Sequence, residues 1–283
     1  MTDHKFLLKF DAIGIGKSLL SGLMEEFKKL VDIICTLRGP DGCQWDKEQT
    51  LDTIKPYLLE ETYEVLESIT NQDFKELKEE LGDLLCQVVF MANLAHEDQH
   101  FNLSDVLKGI SEKLIRRHPH VFGDLKTKDT KVILKNWERI KSKEKVDRES
   151  LLDGIPKTLP GLAKAYKVQD KASRVGFDWN NVSGAIDKVE EELGELKEAI
   201  QQVKANKAVE EELGDLLFSV VNIARFLFVE PEFALNKATD KFSSRFRYME
   251  KHLKTKGLSL EESSLEEMNR LWDDSKKVQS IDV

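Results

Sequence analysis

The feature that most restricts how this chain can fold is an acidic pattern that occurs twice. Glu60-Glu61-Thr62-Tyr63-Glu64, followed by Glu80-Leu81-Gly82-Asp83, returns as Glu191-Glu192-Leu193-Gly194-Glu195, followed by Glu212-Leu213-Gly214-Asp215. Each copy reads EExxE, a spacer, then ExxD. Residues three apart share a helix face, so Glu61 with Glu64, and Glu80 with Asp83, each project a carboxylate pair in one direction. Two such helices side by side gather like charges that repel unless a cation sits among them. The pattern therefore asks for paired helices, and asks for them twice.

The duplication extends beyond the acids. Gly42-Cys43-Gln44-Trp45-Asp46 returns as Gly176-Phe177-Asp178-Trp179-Asn180. Lys113 and Arg117 return as Lys241 and Arg245, and Trp137 and Lys141 as Trp272 and Lys276, with offsets between 128 (Arg117 to Arg245) and 135 (Trp137 to Trp272). Agreement in order and spacing over this length indicates that a whole helical domain was duplicated. Between the copies, Gly154, Pro156, Pro160 and Gly161 interrupt the helical pattern and mark a linker at 149–161. The expected organisation is an N-terminal extension over 1–21, a first domain over 22–148, and a second over 162–283.

Within the first domain, Leu23, Phe27, Leu30, Val31 and Ile34 recur at helical spacing, which predicts a helix over 23–37. Further helices are expected at 54–69, ended by Asn71, and at 74–96, 103–117 and 132–145. The second domain should hold helices at 162–173, 183–203, 208–228, 232–254 and 262–277. No run of β-branched residues alternates strictly, so the fold class is all-α: tandem helical bundles. Apolar stretches at 84–95 and 216–229 contain polar residues and fall short of a membrane span, so they read as buried helices. Leu84, Leu85, Val88 and Val89 are expected to bury the helix just after Asp83.

Composition supports two cores of ordinary size: 283 residues, 40% hydrophobic and 34% charged. The net charge of −9 argues against a general nucleic-acid or anionic-membrane binder, while leaving room for a local basic pocket for one phosphorylated small molecule. Three cysteines without CxxC spacing argue against a disulfide framework or zinc knuckle and for a reducing cytoplasm. Asp3, Lys9, Asp11 and Lys17 interrupt the first twenty residues, so no signal-peptide core is expected there.

Carboxylates without histidine or cysteine suit Mg²⁺ or Mn²⁺ better than zinc or copper. Lys241 and Arg245 share one helix face, as do Trp272 and Lys276. One acidic metal site, cations to neutralise a polyphosphate and an aromatic face for a base together point to a nucleotide substrate. Any base stacks on Trp272, so broad base tolerance is expected. One turn before the second glutamate of the first motif, the C-terminal copy has Lys188 where the N-terminal copy has Tyr57. A cation there reaches a phosphate and tyrosine supplies no charge, which favours the C-terminal copy as the main catalytic site.

The chain resembles the MazG family of nucleoside triphosphate pyrophosphohydrolases, in its two-domain form, from about Leu23 to the C terminus. The resemblance is carried by Gly42 to Thr50, Glu60 to Glu64, Glu80 to Leu85, Arg116-Arg117-His118-Pro119-His120-Val121-Phe122, and Val175 to Trp179. It implies an α-helical tight dimer that hydrolyses nucleoside triphosphates between the α- and β-phosphates, with Mg²⁺ required. It places metal ligands on Glu192, Glu195, Glu212 and Asp215, and substrate contacts on Lys188, Lys241, Arg245, Trp272 and Lys276. Glu61, Glu64, Glu80 and Asp83 form the corresponding second site. Where relatives can carry a phosphate-contacting lysine this chain has Ala208, with Lys207 beside it. The expected chemistry is attack of a metal-activated water on phosphorus, with a carboxylate not fully engaged, such as Glu191, orienting or deprotonating that water.

Other patterns lead elsewhere and carry less weight. His96-Glu97-Asp98-Gln99-His100 matches HExxH but lies at the polar end of a helix with no third zinc ligand at the expected spacings. Gly16-Lys17-Ser18 lacks the first P-loop glycine, since position 11 is Asp11. His118 and His120 flank Pro119 and are expected to cap or turn a helix end. A di-iron bundle would need Glu-x-x-His where this chain has ExxD. A nucleotide-binding regulator without turnover is the non-enzymatic alternative.

Overall fold

A computed structural model describes residues 17–144, 149–202 and 206–279; the expectations for the first sixteen residues lie outside them. The chain divides into two compact units, Met1–Val146 and Asp147–Val283. Among the described residues every regular element is helical. The first unit contains α1 (Lys17–Arg38), α2 (Gln44–Glu48), α3 (Leu51–Asn71), α4 (Phe74–Glu97), α5 (Leu103–Arg117), α6 (Pro119–Phe122) and α7 (Thr130–Lys143). The second contains α8 (Gly161–Ser173), α9 (Val182–Gln201), α10 (Asn206–Phe226), α11 (Pro231–Thr255) and α12 (Leu265–Gln279).

Each unit is built on an antiparallel hairpin of two long helices, α3 with α4 and α9 with α10, and these hairpins carry the acidic motifs. Local chemistry fixes their ends. Thr50 and Thr53 form a reciprocal capping box at the start of α3, with Thr50 N donating to Thr53 Oγ1 at 2.8 Å and Thr53 N to Thr50 Oγ1 at 3.3 Å. Asn71 is the last residue of α3 rather than its breaker; the turn falls at Gln72, with φ 55°. Asp73 then caps α4, accepting from Lys75 N at 2.9 Å and Glu76 N at 3.0 Å. A two-residue connection leaves the helices no choice but to run back along each other. In the second unit Asn181 caps α9 by accepting from Ser183 N at 2.9 Å.

One further helix covers one face of each hairpin: α1 on α4, and α8 on α10. The first unit's core is Ile34, Ile54, Val89, Phe90 and Leu94, with Tyr57 and Cys86 packed against it. Arg38 ties this layer together. Its guanidinium binds Glu97 at 2.6 and 2.8 Å and donates to the Asp46 and Gln49 carbonyls, joining the end of α1, the following loop and the end of α4. In the second unit Met249, Leu253 and Leu271 join α11 to α12, and α11 also packs on α8.

Several expectations need correction. Leu85 and Val88, expected to be buried after Asp83, are 41% and 36% exposed, while Val89 is 2% exposed. Leu217, Phe218 and Val220 of α10 are likewise exposed. The reason is geometric: only one face of each hairpin has a covering helix. The Trp45 loop coils into the short α2, and Pro119 starts α6 because its fixed φ suits a first helical position. Helix α12 begins at Leu265, later than position 262, because Ser264 Oγ accepts from Glu267 N at 3.2 Å and caps it. The 149–161 segment packs on its own unit, where Lys171 Nζ donates to the Leu151 and Asp153 carbonyls at 2.8 and 2.9 Å. No helix of the described residues is long and apolar enough to cross a membrane.

Candidate active site

The hairpin turns the acidic pattern into a cluster. In the second unit one carboxylate oxygen from each of Glu192, Glu212 and Asp215 lies within 4.8 Å of the others. Glu192 is buried, Glu212 half-buried and Asp215 exposed, so the cluster opens from helix interior to solvent. Glu195 stands beside this trio. Its carboxyl is pushed up from the usual range, first by partial desolvation and then by the negative charges of Glu192 and Glu212. In the first unit the trio is Glu61, Glu64 and Glu80, with Glu64, the counterpart of Glu195, in the place that Asp215 takes in the second. Glu80 is raised by desolvation and then by Asp83, which stands beside it. Both trios are crowded, like-charged sets of hard oxygen donors, a chemistry that suits a divalent cation.

The units part company one turn earlier. Lys188 Nζ bonds Glu192 at 2.6 Å and Glu191 at 2.8 Å, and these bonds raise its own pKa, that to Glu191 foremost. The side chain of Glu192 is only 6% exposed, so Lys188 supplies the charge that makes its burial tolerable. Tyr57, at the same place in the first unit, packs edge-on against Trp45 at 5.9 Å and contributes no charge.

Beside the second trio lies a cavity of about 630 Å³. Lys188, Glu192 and Asp215 line one part of it; Gln169 and Ala172 of α8, the Phe177-Asp178-Trp179 loop, and Phe218, Ser219, Asn222 and Arg225 of α10 line the rest, with Leu151 and Leu152. Arg225 holds the loop in place through Asp178, at 2.9 and 2.5 Å, and donates through Nε to Asn222 Oδ1 at 2.9 Å. Trp179 lies so close to α9 that a Cβ at position 184 would press on its indole ring.

The structure does not bring every expected residue to this cavity. Lys241 and Arg245 lie on α11 and Trp272 and Lys276 on α12, and none of them lines the cavity; Arg245 sits over Trp272 at 5.8 Å, Phe242 lies against the same ring at 5.0 Å, and Lys276 pairs with Asp273 at 2.8 Å. Lys207 is exposed in the first turn of α10. Glu191 is exposed and held by Lys188. The HExxH pattern is broken: α4 ends at Glu97, Gln99 turns left-handed at φ 61°, and Glu97 is engaged by Arg38. His118 ends α5 and precedes α6, with Nδ1 2.7 Å from the Leu114 carbonyl oxygen. Sequence reasoning missed Gln169, Ser219, Asn222 and Arg225. The available signal was polarity inside the apolar stretch 216–229, where Asn222 replaces what is Phe90 in the first copy.

Helical repeats with a carboxylate trio on each hairpin define an all-α nucleotide hydrolase. Within that class the chain belongs to the MazG nucleotide pyrophosphohydrolase family, whose domain matches residues 49–122 and again 182–253. The nucleoside triphosphate pyrophosphohydrolase of Escherichia coli (strain K12) is 47% identical over 264 residues, covering 92% of this chain and 100% of that protein. The nucleoside triphosphate pyrophosphohydrolase/pyrophosphatase MazG of Thermotoga maritima is 49% identical over 251 residues, 88% of this chain and 95% of that protein. The uncharacterized protein YabN of Bacillus subtilis (strain 168) is 48% identical over 258 residues, 91% of this chain and 53% of that protein.

Proposed function

We propose that this chain hydrolyses ribo- and deoxyribonucleoside triphosphates between the α- and β-phosphates, releasing a nucleoside monophosphate and pyrophosphate. The observation that carries the reading is the meeting of Lys188, Glu192 and Asp215 on the wall of a cavity large enough for a nucleoside. Glu192, Glu195, Glu212 and Asp215 would hold Mg²⁺, or Mn²⁺ in its place. A bound divalent ion there polarises phosphate oxygens and lowers the pKa of water. Lys188, on the edge between acids and cavity, meets a phosphate oxygen and offsets charge that develops as the α–β bond breaks. Glu191, exposed beside it, orients the attacking water and accepts its proton.

Relatives named as nucleoside triphosphate pyrophosphohydrolases support the reaction. The second unit is the main catalytic copy, because the first has Tyr57 in place of Lys188. Broad base tolerance, a housecleaning role against noncanonical nucleotides and a cytoplasmic location are part of the same reading; three free cysteines suit a reducing compartment. So is a homodimer. The uncovered apolar faces of α9 and α10, among them Leu193, Leu213, Leu217 and Val220, offer a contact surface, and a second copy could bring Lys241, Arg245, Trp272 and Lys276 to the triphosphate. A molar mass of one chain in solution overturns that part.

The direct test is pyrophosphate release from canonical and damaged nucleoside triphosphates with Mg²⁺. Glu192→Ala and Asp215→Ala are expected to abolish it. Near-normal turnover by the double variant would refute the assignment to this unit, and tight binding without pyrophosphate release in the unaltered protein would favour a nucleotide-binding regulator.

A further inference from the structure

In both repeats a loop follows the covering helix, and the two units fasten it to the hairpin differently. In the first, Arg38 at the end of α1 binds Glu97 of α4 together with the Asp46 and Gln49 carbonyls, so the loop is tied by its backbone. In the second the tie is a side chain. The Asp178 carboxylate accepts from both terminal nitrogens of Arg225 on α10, at 2.9 and 2.5 Å. Both members of this pair differ from the first copy. Asp178 stands where the first unit has Gln44, and Arg225, on helices that align without a gap from Glu80 and Glu212 onward, where it has Asn93. Those two amides turn to their own helices, Gln44 Nε2 to Glu48 at 3.0 Å and Asn93 Nδ2 to Glu97 at 2.7 Å.

The hairpin therefore folds without an ion pair at these positions, and burying one is costly. The Arg225 and Asp178 side chains are 11% and 22% exposed, so both ions are largely stripped of water. What the pair controls follows from the other attachments of the loop. At its front Gly176 N and Phe177 N donate to the Ser173 and Ala172 carbonyls at 3.0 and 3.2 Å, and at its back Asn181 caps α9. Gly176 has φ 88° and open space where a Cβ would stand, the properties of a hinge. Between these ends Phe177 is 82% and Trp179 44% exposed, so apolar packing alone holds the span loosely. Asp178 is its grip on α10. The same carboxylate accepts from Trp179 N at 2.9 Å and so fixes the backbone that carries the indole. Arg225 is in turn a fixed post: its Nε donates to Asn222 Oδ1, and its guanidinium lies over the Phe226 ring at 4.4 Å.

We propose that Arg225 is a positioning residue of the second unit: through Asp178 it latches the Phe177–Trp179 span, one wall of the cavity, in the shape that receives substrate. The inference rests on the nucleotide reading of the same cavity. Arg225 does not itself contact the substrate, because Asp178 already neutralises its guanidinium. With the pair broken the span swings out about Gly176, and a substrate must first bring it back. Binding then weakens in proportion to the fraction of molecules still closed, while the complex, once formed, reacts as before.

The test is steady-state pyrophosphate release by the full chain with Mg²⁺, beside a thermal melt, for Asp178→Asn, Arg225→Gln and the two combined. A span closed about one-tenth of the time raises KM about tenfold and leaves kcat within about threefold. Since each residue acts through the other, the double variant should show the same rise of about tenfold and not one of about a hundredfold. The reversed pair, Asp178→Arg with Arg225→Asp, should recover most of the loss. If that variant does not fold, Arg225→Lys, which keeps a charge for Asp178, should raise KM less than Arg225→Gln does. An unchanged KM in folded Asp178→Asn, or a loss confined to kcat, overturns the inference. So do losses that multiply in the double variant, which would mean that Arg225 touches the substrate directly. If the unaltered protein releases no pyrophosphate, the nucleotide reading fails and the latch with it; if it turns over and these variants match it, only the latch fails.

Discussion

Gly184→Ala places one methyl group where the structure has no room for it. A Cβ at this position would lie 2.4 Å from Trp179 Cδ1, 2.8 Å from Cγ and 3.2 Å from Cβ. Carbon atoms in contact prefer about 3.5–4.0 Å, so the indole must retreat by about 1 Å or rotate. Two effects on stability oppose each other. Alanine in a helix gains up to about 1 kcal/mol over glycine, and overpacking costs about 1–3 kcal/mol. Trp179 is 44% exposed and can swing outward, which places the net cost at the lower end, about 0–2 kcal/mol. That corresponds to a fall in Tm of no more than about 8 °C. The larger consequence is for the cavity, since the ring that moves is one of its walls. Expected is a severalfold rise in KM for nucleoside triphosphates with kcat largely retained, measured by steady-state pyrophosphate release beside a thermal melt. A variant that melts higher with unchanged KM would show that Trp179 does not shape the substrate site.

Two further substitutions test the frame around it. Gly42→Ala puts a Cβ 2.1 Å from the Leu37 carbonyl oxygen and 2.4 Å from that of Thr36, both backbone atoms that cannot step aside; a loss of about 2–4 kcal/mol is expected by urea unfolding, and a loss under about 0.5 kcal/mol would contradict the packing described. Glu144 bridges Arg116 and Arg117, and their hydrogen bonds, that from Arg117 foremost, hold its carboxyl at about 2 against an ordinary 4.5. A depressed folded pKa means stability present above 4.5 and lost as pH falls towards 2. Glu144→Gln should therefore lose about 1–2 kcal/mol at neutral pH and show a shallower decline of Tm between pH 5 and 2; parallel acid limbs would mean that the bridge contributes nothing.

What the sequence disclosed and what it withheld divide along a physical line. The acids, Lys188 and the repeat glycines sit at fixed spacings along single helices or loops, and such spacings survive folding unchanged. Helix existence followed for the same reason, while ends at Gln72 and Ser264 depended on a left-handed turn and a serine cap. The cavity was not legible, because Gln169 and Asn222 are 53 positions apart and acquire meaning only when α8 lies on α10. Nor did periodicity reveal that one face of each hairpin stays uncovered, since an apolar stripe signals a contact without saying who supplies it. The α11–α12 cations were legible as a group, and the structure adds that they do not line the cavity.

The segment before α8, expected as a linker over 149–161, also forms part of the second unit: Lys171 holds the Leu151 and Asp153 carbonyls, and Leu151 and Leu152 stand on the cavity wall. The place where one repeat gives way to the next is consequently displaced from the place where a helix pattern resumes. A fragment begun at Leu162 would carry every acidic residue and the full α9–α10 hairpin yet leave the cavity breached on one side, whereas one begun at Glu149 would retain that wall. Dissecting the two halves at the wrong one of these boundaries would mistake a damaged vessel for an inactive one.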